Sequence, residues 1–279
     1  MKGIAYAAGT IVNALATGIG SAFGIDMQTV VKLKPGEGDE IKVVVNGVER
    51  KSVVAERILR AEGISGEVVV ESEIPSGSGL GSSSAFVNAL LVAVKKLKGE
   101  IIDAYEILKT NARVSLEAGI SYTGAFDDAA ASLLGGFVVS DNYKMRLYRW
   151  DRISSSAAIL IPHFKRGKVN WKEIRANSTK LRPALEDAIK GDYCSAMKRN
   201  TRYYCEMIGY PLEIAMAGWD IGVCCGLSGN GPTFVAFGSK SEMKSLADVW
   251  KEYGEVYIRK VIENSVSDFV IPKSLFIKF

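Results

Sequence analysis

The chain has 279 residues, of which 48% are hydrophobic and 24% charged; this balance suits a folded globular protein with a full core, in one large or two modest domains, and excludes a disordered chain. With 35 basic against 31 acidic residues the formal charge is +4, too slight and too scattered for a nucleic-acid-binding domain, though favourable to a small anionic ligand. A single histidine, His163, excludes a histidine-based metal cluster, and four cysteines (Cys194, Cys205, Cys224 and Cys225) without CxxC spacing predict neither a zinc site nor a disulfide framework, pointing to a reducing, cytoplasmic setting.

The segment from Gly3 to Ile25 carries no charge, yet its five glycines, Asn13 and two threonines interrupt the compact apolar core a signal peptide needs. No stretch offers the roughly 20 predominantly apolar residues of a membrane span, so no membrane partner is expected. Alternating or β-branched runs predict strands at Gly3–Ala8, Met27–Lys34, Ile41–Asn46 and Glu67–Glu71, so that the first seventy residues read mostly as sheet. Apolar residues at three-to-four spacing then predict helices over Ser83–Leu97 and Ile101–Glu117, broken apart by Gly99. A short helix is expected over Asp127–Leu134, followed by a hairpin through Phe137–Val139 and Met145–Trp150. Beyond a lobe boundary near residue 150 come a strand at Ala157–Ile161 and helical segments between Trp171 and Met207. The strand-loop-strand unit "VCCGLSGNGPTFVAFG", a helix near Ser241–Trp250 and a last strand around Val256 complete the chain. The expected class is α+β, in two lobes spanning residues 1–150 and 151–279.

The densest signal is "PSGSGLGSSSA", comprising Pro75, Ser76, Gly77, Ser78, Gly79, Leu80, Gly81, Ser82, Ser83, Ser84 and Ala85, directly ahead of a predicted helix. Glycines at 77, 79 and 81 free the backbone to adopt positive φ and aim successive N–H groups at one anion. The positive end of the following helix adds to that attraction, and serine hydroxyls can reach phosphate or magnesium. The alternative is an ordinary glycine-rich loop with a serine N-cap. No GxxxxGK[ST] motif occurs, and "GSGLGS" lacks the third glycine of a dinucleotide fingerprint.

At this length the motif resembles the ATP-binding loop of the GHMP small-molecule kinases, named for galactokinase, homoserine kinase, mevalonate kinase and phosphomevalonate kinase. The resemblance implies a two-lobed GHMP kinase fold, with an α+β N-terminal lobe, a ferredoxin-like C-terminal lobe, and ATP and Mg²⁺ in the cleft. "GLSGNGPTFVAF" resembles the family's third motif and implies that Gly229, Asn230 and Gly231 pack beside the nucleotide loop and substrate. "TGAFDDAAASLLGG" resembles the segment carrying the family aspartate proposed in several members as the base. Counting back from Gly135 and Gly136, Asp127 matches the homoserine kinase spacing and Asp128 the mevalonate kinase spacing; Asp127 is preferred, with a helix N-cap role for one of the pair left open. Where relatives hold Mg²⁺ with a glutamate and a motif serine, this chain has Glu117 and Ser83, and the first, variable motif implies an acceptor pocket near Asn13 and Asp26.

The combination "ATGIGSAFGID", "SGLGSSSA", "TGAFDDA" and "GLSGNGP" looks most like the archaeal-type shikimate kinase branch, which implies shikimate as the small-molecule acceptor. Homoserine kinase is the rival, its ammonium-bearing acceptor drawing on Asp26. A carboxylate acceptor calls for a basic partner, for which Arg113, Lys180, Arg182, Arg199 and Arg202 are the candidates.

Overall fold

The computed structural model describes residues 1–264 and 269–277. The uncharged N-terminal segment forms the centre of a mixed sheet. Strand β1 (Lys2–Val12) runs antiparallel to β2 (Ile19–Pro35), a 17-residue strand that begins eight residues before the predicted one. Around this pair lie β3 (Ile41–Val45), β4 (Val48–Glu49), β5 (Gly66–Ser72), β6 (Phe137–Asp141) and β7 (Arg146–Asp151), in the order β4-β3-β5-β2-β6-β7 with β1 branching from β2. The strand extension has a simple cause: Gly18, Gly20 and Gly24 look like breakers in the sequence, but the latter two sit in strand where the helix over Phe126–Leu134 and its flanking loop pack too closely for a Cβ.

The first seventy residues are mostly sheet, as expected, but between β4 and β5 the chain makes a helix that was not predicted, α1 (Val53–Ala61). Its signals are present in "SVVAERILRA": the Ser52 side chain accepts a hydrogen bond from Ala55 N–H at 3.2 Å, and Val54, Ala55, Ile58 and Leu59 form one buried face. Helices α2 (Ser82–Lys98), α3 (Ala104–Glu117) and α4 (Phe126–Leu134) follow as expected.

The second sheet comprises β8 (Ser156–Pro162), β9 (Cys224–Leu227), β10 (Phe234–Gly238) and β11 (Gly254–Lys260). Its order, β11-β8-β10-β9, is antiparallel throughout, the arrangement of a ferredoxin-like βαββαβ unit. Between β8 and β9 the chain makes α5 (Trp171–Ala176), α6 (Arg182–Lys190), α7 (Tyr193–Ile208) and α8 (Glu213–Asp220), and α9 (Lys240–Trp250) joins β10 to β11.

The two sheets share one core. Phe23 of β2 and Phe137 of β6 stack at 5.4 Å, and Phe237 of β10 meets both edge-on at 5.4 and 4.9 Å. Such aromatic pairs contribute about 0.5–1.5 kcal/mol each beyond the area they bury, enough to fix how the sheets face one another. The reading of the cysteines as free is corrected as well: Cys194 at the start of α7 and Cys224 of β9 form a disulfide across 30 residues of chain. Spacing rules could not find it, because the partners become neighbours only when α7 packs on the second sheet. Cys205 and Cys225 remain free and buried, which pushes both thiols up to about 12.

Candidate active site

The glycine-serine loop is a cradle held by backbone. Gly77, Gly79 and Gly81 all adopt positive φ, at 72°, 90° and 67°. Gly81 is the N-cap of α2, without a side-chain cap and without an acidic residue in the first turn, so no side chain occupies the N–H groups that open α2, and Ser82, Ser83 and Ser84 line the cavity there. The loop is clamped on both sides. Ala8 N–H of β1 donates to Leu80 O at 3.0 Å, Ser228 Oγ donates to Gly79 O at 2.7 Å, and Thr10 N–H in turn donates to Ser228 Oγ at 3.0 Å. A Cβ at Gly79 would collide with the Ser228 carbonyl oxygen, so its absence is what lets the glycine-serine loop and the third motif touch. Leu80 and Ala85 are buried anchors, and the Ser78 hydroxyl donates back to Pro75 O at 2.8 Å, so these residues shape the cradle from behind.

Beneath the loop lies a polar cavity of about 230 Å³, which Gly77, Gly79, Ser82, Ser83, Asp127, Asp128, Asn13, Gly229 and Asn230 all help line. Next to it a larger, more apolar cavity of about 690 Å³ runs over Pro75, Ser76, Ile74, Phe86 and Val54, and Ser82 and Ser83 line both. A phosphate chain on the serines would therefore carry a flat apolar group on one side and point its far end at the aspartates on the other.

Asp127 and Asp128 occupy the first turn of α4, behind Ala125 in a left-handed conformation at φ 48°. Asp127 is 4% exposed. Its Oδ1 accepts from Asn142 Nδ2 at 2.8 Å, and Oδ2 lies against Gly20, where a Cβ would collide with it. Burial pushes the Asp127 carboxyl up from the ordinary value, while the Asn142 hydrogen bond and the backbone N–H groups of Asp127 and Asp128 pull it back. Asp128 is pushed up well above the ordinary value, first by burial and then by the charge of Asp127, and its Oδ1 is buried without a hydrogen-bond partner among the described residues.

The acceptor side is shaped by the turn between β1 and β2, gripped by α7. Asn13 N–H donates to Asn200 Oδ1 at 3.0 Å, Tyr204 OH donates to Asn13 O at 3.1 Å, and Ala16 N–H donates to Tyr204 OH at 3.2 Å. Asn13 Nδ2 donates to Asn230 Oδ1 at 2.9 Å, coupling this turn to the third motif. Gly231 supports that motif from outside the cavity, its α-carbon packed against the Tyr210 ring.

Solved structures that share this fold include small-molecule kinases and mevalonate diphosphate decarboxylases. The Methanococcus jannaschii mevalonate kinase superposes with a TM-score of 0.73 at 15% identity, over 94% of this chain and 98% of that one. A homoserine kinase from Cytophaga hutchinsonii gives 0.70 at 20% identity, over 94% and 96%. The family model for the GHMP kinases N terminal domain matches residues 44–136. Among sequence relatives, the shikimate kinase of Archaeoglobus fulgidus is 64% identical over 278 residues, covering 100% of this chain and 99% of the relative, and that of Methanosarcina acetivorans is 38% identical, covering 95% and 93%. This chain belongs to the archaeal shikimate kinase family, a branch of the GHMP kinases.

Within this GHMP kinase, three sequence expectations do not meet the cavity. Asp26 of β2 lines a separate open pocket with Gln28, Glu71, Glu73 and Arg259, because the pleat after the β1–β2 bulge turns it away from Asp127. Glu117 ends α3 paired with Arg57 at 3.1 Å and lines neither cavity. Of the five basic candidates, Arg113 is exposed, Lys180, Arg182 and Arg199 pair with Glu206, Glu186 and Asp187, and Arg202 stacks on Trp219.

Two residues at the site carried no warning in the sequence motifs. Arg166, in the loop after β8, lines the polar cavity, and its only signal is a basic run, "KRGK", shortly after a buried strand. Asn142 lies in the β6–β7 turn, where an asparagine reads as turn chemistry.

Proposed function

We propose that this protein transfers the γ-phosphoryl group of ATP to the 3-hydroxyl of shikimate, yielding shikimate 3-phosphate. One observation carries the reading beyond family membership: a buried, oriented carboxylate, Asp127, at the floor of a cavity roofed by the glycine-serine cradle. The larger cavity suits the nucleoside, the uncapped N–H groups of α2 suit the phosphates, and the polar cavity suits a small polyhydroxylated acid. The donor set fits Mg²⁺, a hard cation bound through oxygen: the Ser83 hydroxyl and the unpartnered Asp128 Oδ1 would hold it, whereas Glu117 is committed to Arg57. Bound there, the ion would neutralise charge on the phosphates.

In this reading Asp127 Oδ2 accepts the proton of the 3-hydroxyl as the oxygen attacks in line, and positioning with charge neutralisation supplies most of the rate. Arg166 pairs with the shikimate carboxylate, since it is the basic side chain that lines the polar cavity among the described residues. The rival acceptor, homoserine, needs an acidic group for its ammonium, and the location of Asp26 outside the cavity argues against it. The polypeptide divides functionally between Asp151 and Ser156, with the cradle on the N-terminal side and Arg166 on the other.

The test is ADP release by the purified protein with Mg-ATP and, in parallel, shikimate, homoserine and mevalonate. Turnover confined to shikimate is expected; turnover with homoserine alone overturns the reading of the acceptor.

A further inference from the structure

The motif aspartate would be held loosely if nothing stood beside it. Asn142 is fully buried, and every hydrogen-bonding position of its carboxamide is used. Its Nδ2 donates to Asp127 Oδ1 at 2.8 Å and to Thr123 Oγ1 at 3.2 Å, and its Oδ1 accepts from Asp127 N–H at 3.2 Å and from Ser140 Oγ at 2.6 Å. Its own N–H donates to Gly18 O at 2.8 Å, fixing the backbone to the turn that leads into β2. The orientation of the amide is dictated by its partners. A carboxylate can only accept and a backbone N–H can only donate, so the side chain that reads both on Asp127 must present nitrogen to one and oxygen to the other.

This arrangement does more than satisfy a buried carboxylate. Asp127 is gripped at its backbone and at one carboxylate oxygen by the same amide, which fixes both the position of the residue and the rotation of its side chain. Oδ2 is thereby left against Gly20, and Asp127 itself lines the polar cavity. A neutral amide achieves this without placing a second charge beside the reacting groups. A tilt of the carboxylate by an ångström would be costly, because proton transfer and in-line attack depend on near-attack geometry.

We propose that Asn142 is a positioning residue for phosphoryl transfer, its carboxamide locking Asp127 so that Oδ2 meets the acceptor hydroxyl, with Ser140 pinning the amide in turn. The inference rests on the reading of Asp127 as the proton acceptor.

A kinetic double-mutant cycle on the full chain, with Mg-ATP and shikimate, tests it using Asn142→Ala, Asp127→Asn and the pair. Asn142→Ala is expected to lower kcat by about 10- to 100-fold while leaving both KM values within about threefold. In the Asp127→Asn background the same change is expected to alter kcat by less than about threefold, since the group it positions is already gone. Equal losses in both backgrounds, or an unchanged kcat in Asn142→Ala, overturn the inference and leave Asn142 a structural residue of the turn. Wild-type turnover by Asp127→Asn instead overturns the reading of Asp127 itself, and absent shikimate turnover by the unsubstituted chain overturns the proposed function. Should Asn142→Ala fail to fold, Ser140→Ala removes only the hydroxyl that pins Oδ1. It is expected to lower kcat by about three- to tenfold in the Asp127 background alone, and an equal effect in both backgrounds overturns the inference.

Discussion

The phosphate cradle and the acceptor floor lie on opposite sides of one small cavity and are made differently. Gly77, Gly79 and Gly81 line it at φ values available to glycine, and the loop is held by contacts to β1 and to the Ser228 loop. The floor is lined by Asp127, Asn13 and Arg166, each brought in by a different element, with Asp127 held by Asn142 and Asn13 by Asn200 of α7. A surface of N–H groups recognises any phosphate chain, so it can be written as one contiguous motif. An acceptor with hydroxyls and a carboxylate needs particular groups at particular distances, which no single segment can supply.

Substitutions should therefore act differently on the two sides. The largest effect is expected on the floor: Asp127→Asn removes the proton acceptor at nearly constant shape, and kcat should fall by about 10²- to 10⁴-fold with the ATP dissociation constant unchanged. Single-turnover rates and titration with a non-hydrolysable ATP analogue measure the two quantities separately.

On the cradle side, Gly79→Ala places a Cβ against the Ser228 carbonyl at a φ of 90°. The strain is about 1–3 kcal/mol, and ATP affinity should fall at least about tenfold together with the melting temperature. Selective loss of acceptor binding in this variant would break the division drawn above.

Arg166→Met sharpens the comparison from the floor. Losing a charge-assisted hydrogen bond of about 1.5–3 kcal/mol should raise the KM for shikimate about 10- to 100-fold and leave that for ATP in place. A rise confined to ATP would move the guanidinium to the cradle.

Reduction of the disulfide, or Cys194→Ser, releases α7 from β9 and should cost about 2–4 kcal/mol of stability. Since α7 carries Asn200 and Tyr204, acceptor KM should respond to reduction before ATP KM does; thermal melts and kinetics with and without dithiothreitol check both.

The smallest effect concerns the carboxylate pair in the metal-free protein. Both folded values lie above the ordinary aspartate value of 3.8, so folding binds protons, and the stabilising contribution present below that value is lost as pH rises through the folded values. Asp128→Asn removes the group raised further. Its stability should fall less than the wild type's as pH rises above the ordinary aspartate value, by melts at a series of pH values; a parallel profile would mean that Asp128 ionises freely.

The cradle and the third motif were legible because glycines at fixed offsets in one segment state their own conformation, and Gly79 and Gly229 do meet. Asp127 and Asp128 were legible as a pair in a segment the family shares. Helix α1 went unread although its cap and apolar face are local signals, a helix of nine residues between runs of strand. Asp26 was misplaced because the bulge between Tyr6 and Ala7, opposite Gln28 and Ile25, changes which way this stretch of β2 faces, and a bulge in a pair of strands has no mark in either strand alone. The basic partner was sought on helices where charges are abundant, whereas Arg166 reaches the cavity from a loop.

By itself the sequence determined the α+β class, the cradle and its following helix, and the segment that supplies the carboxylates, because each depends on conformational preferences carried within a dozen or so residues. The tertiary structure alone decided which asparagine holds Asp127, which arginine lines the polar cavity and which cysteines bond. Those are relations between residues up to about two hundred positions apart, and distances of that kind exist only once the two sheets have packed around Phe23, Phe137 and Phe237.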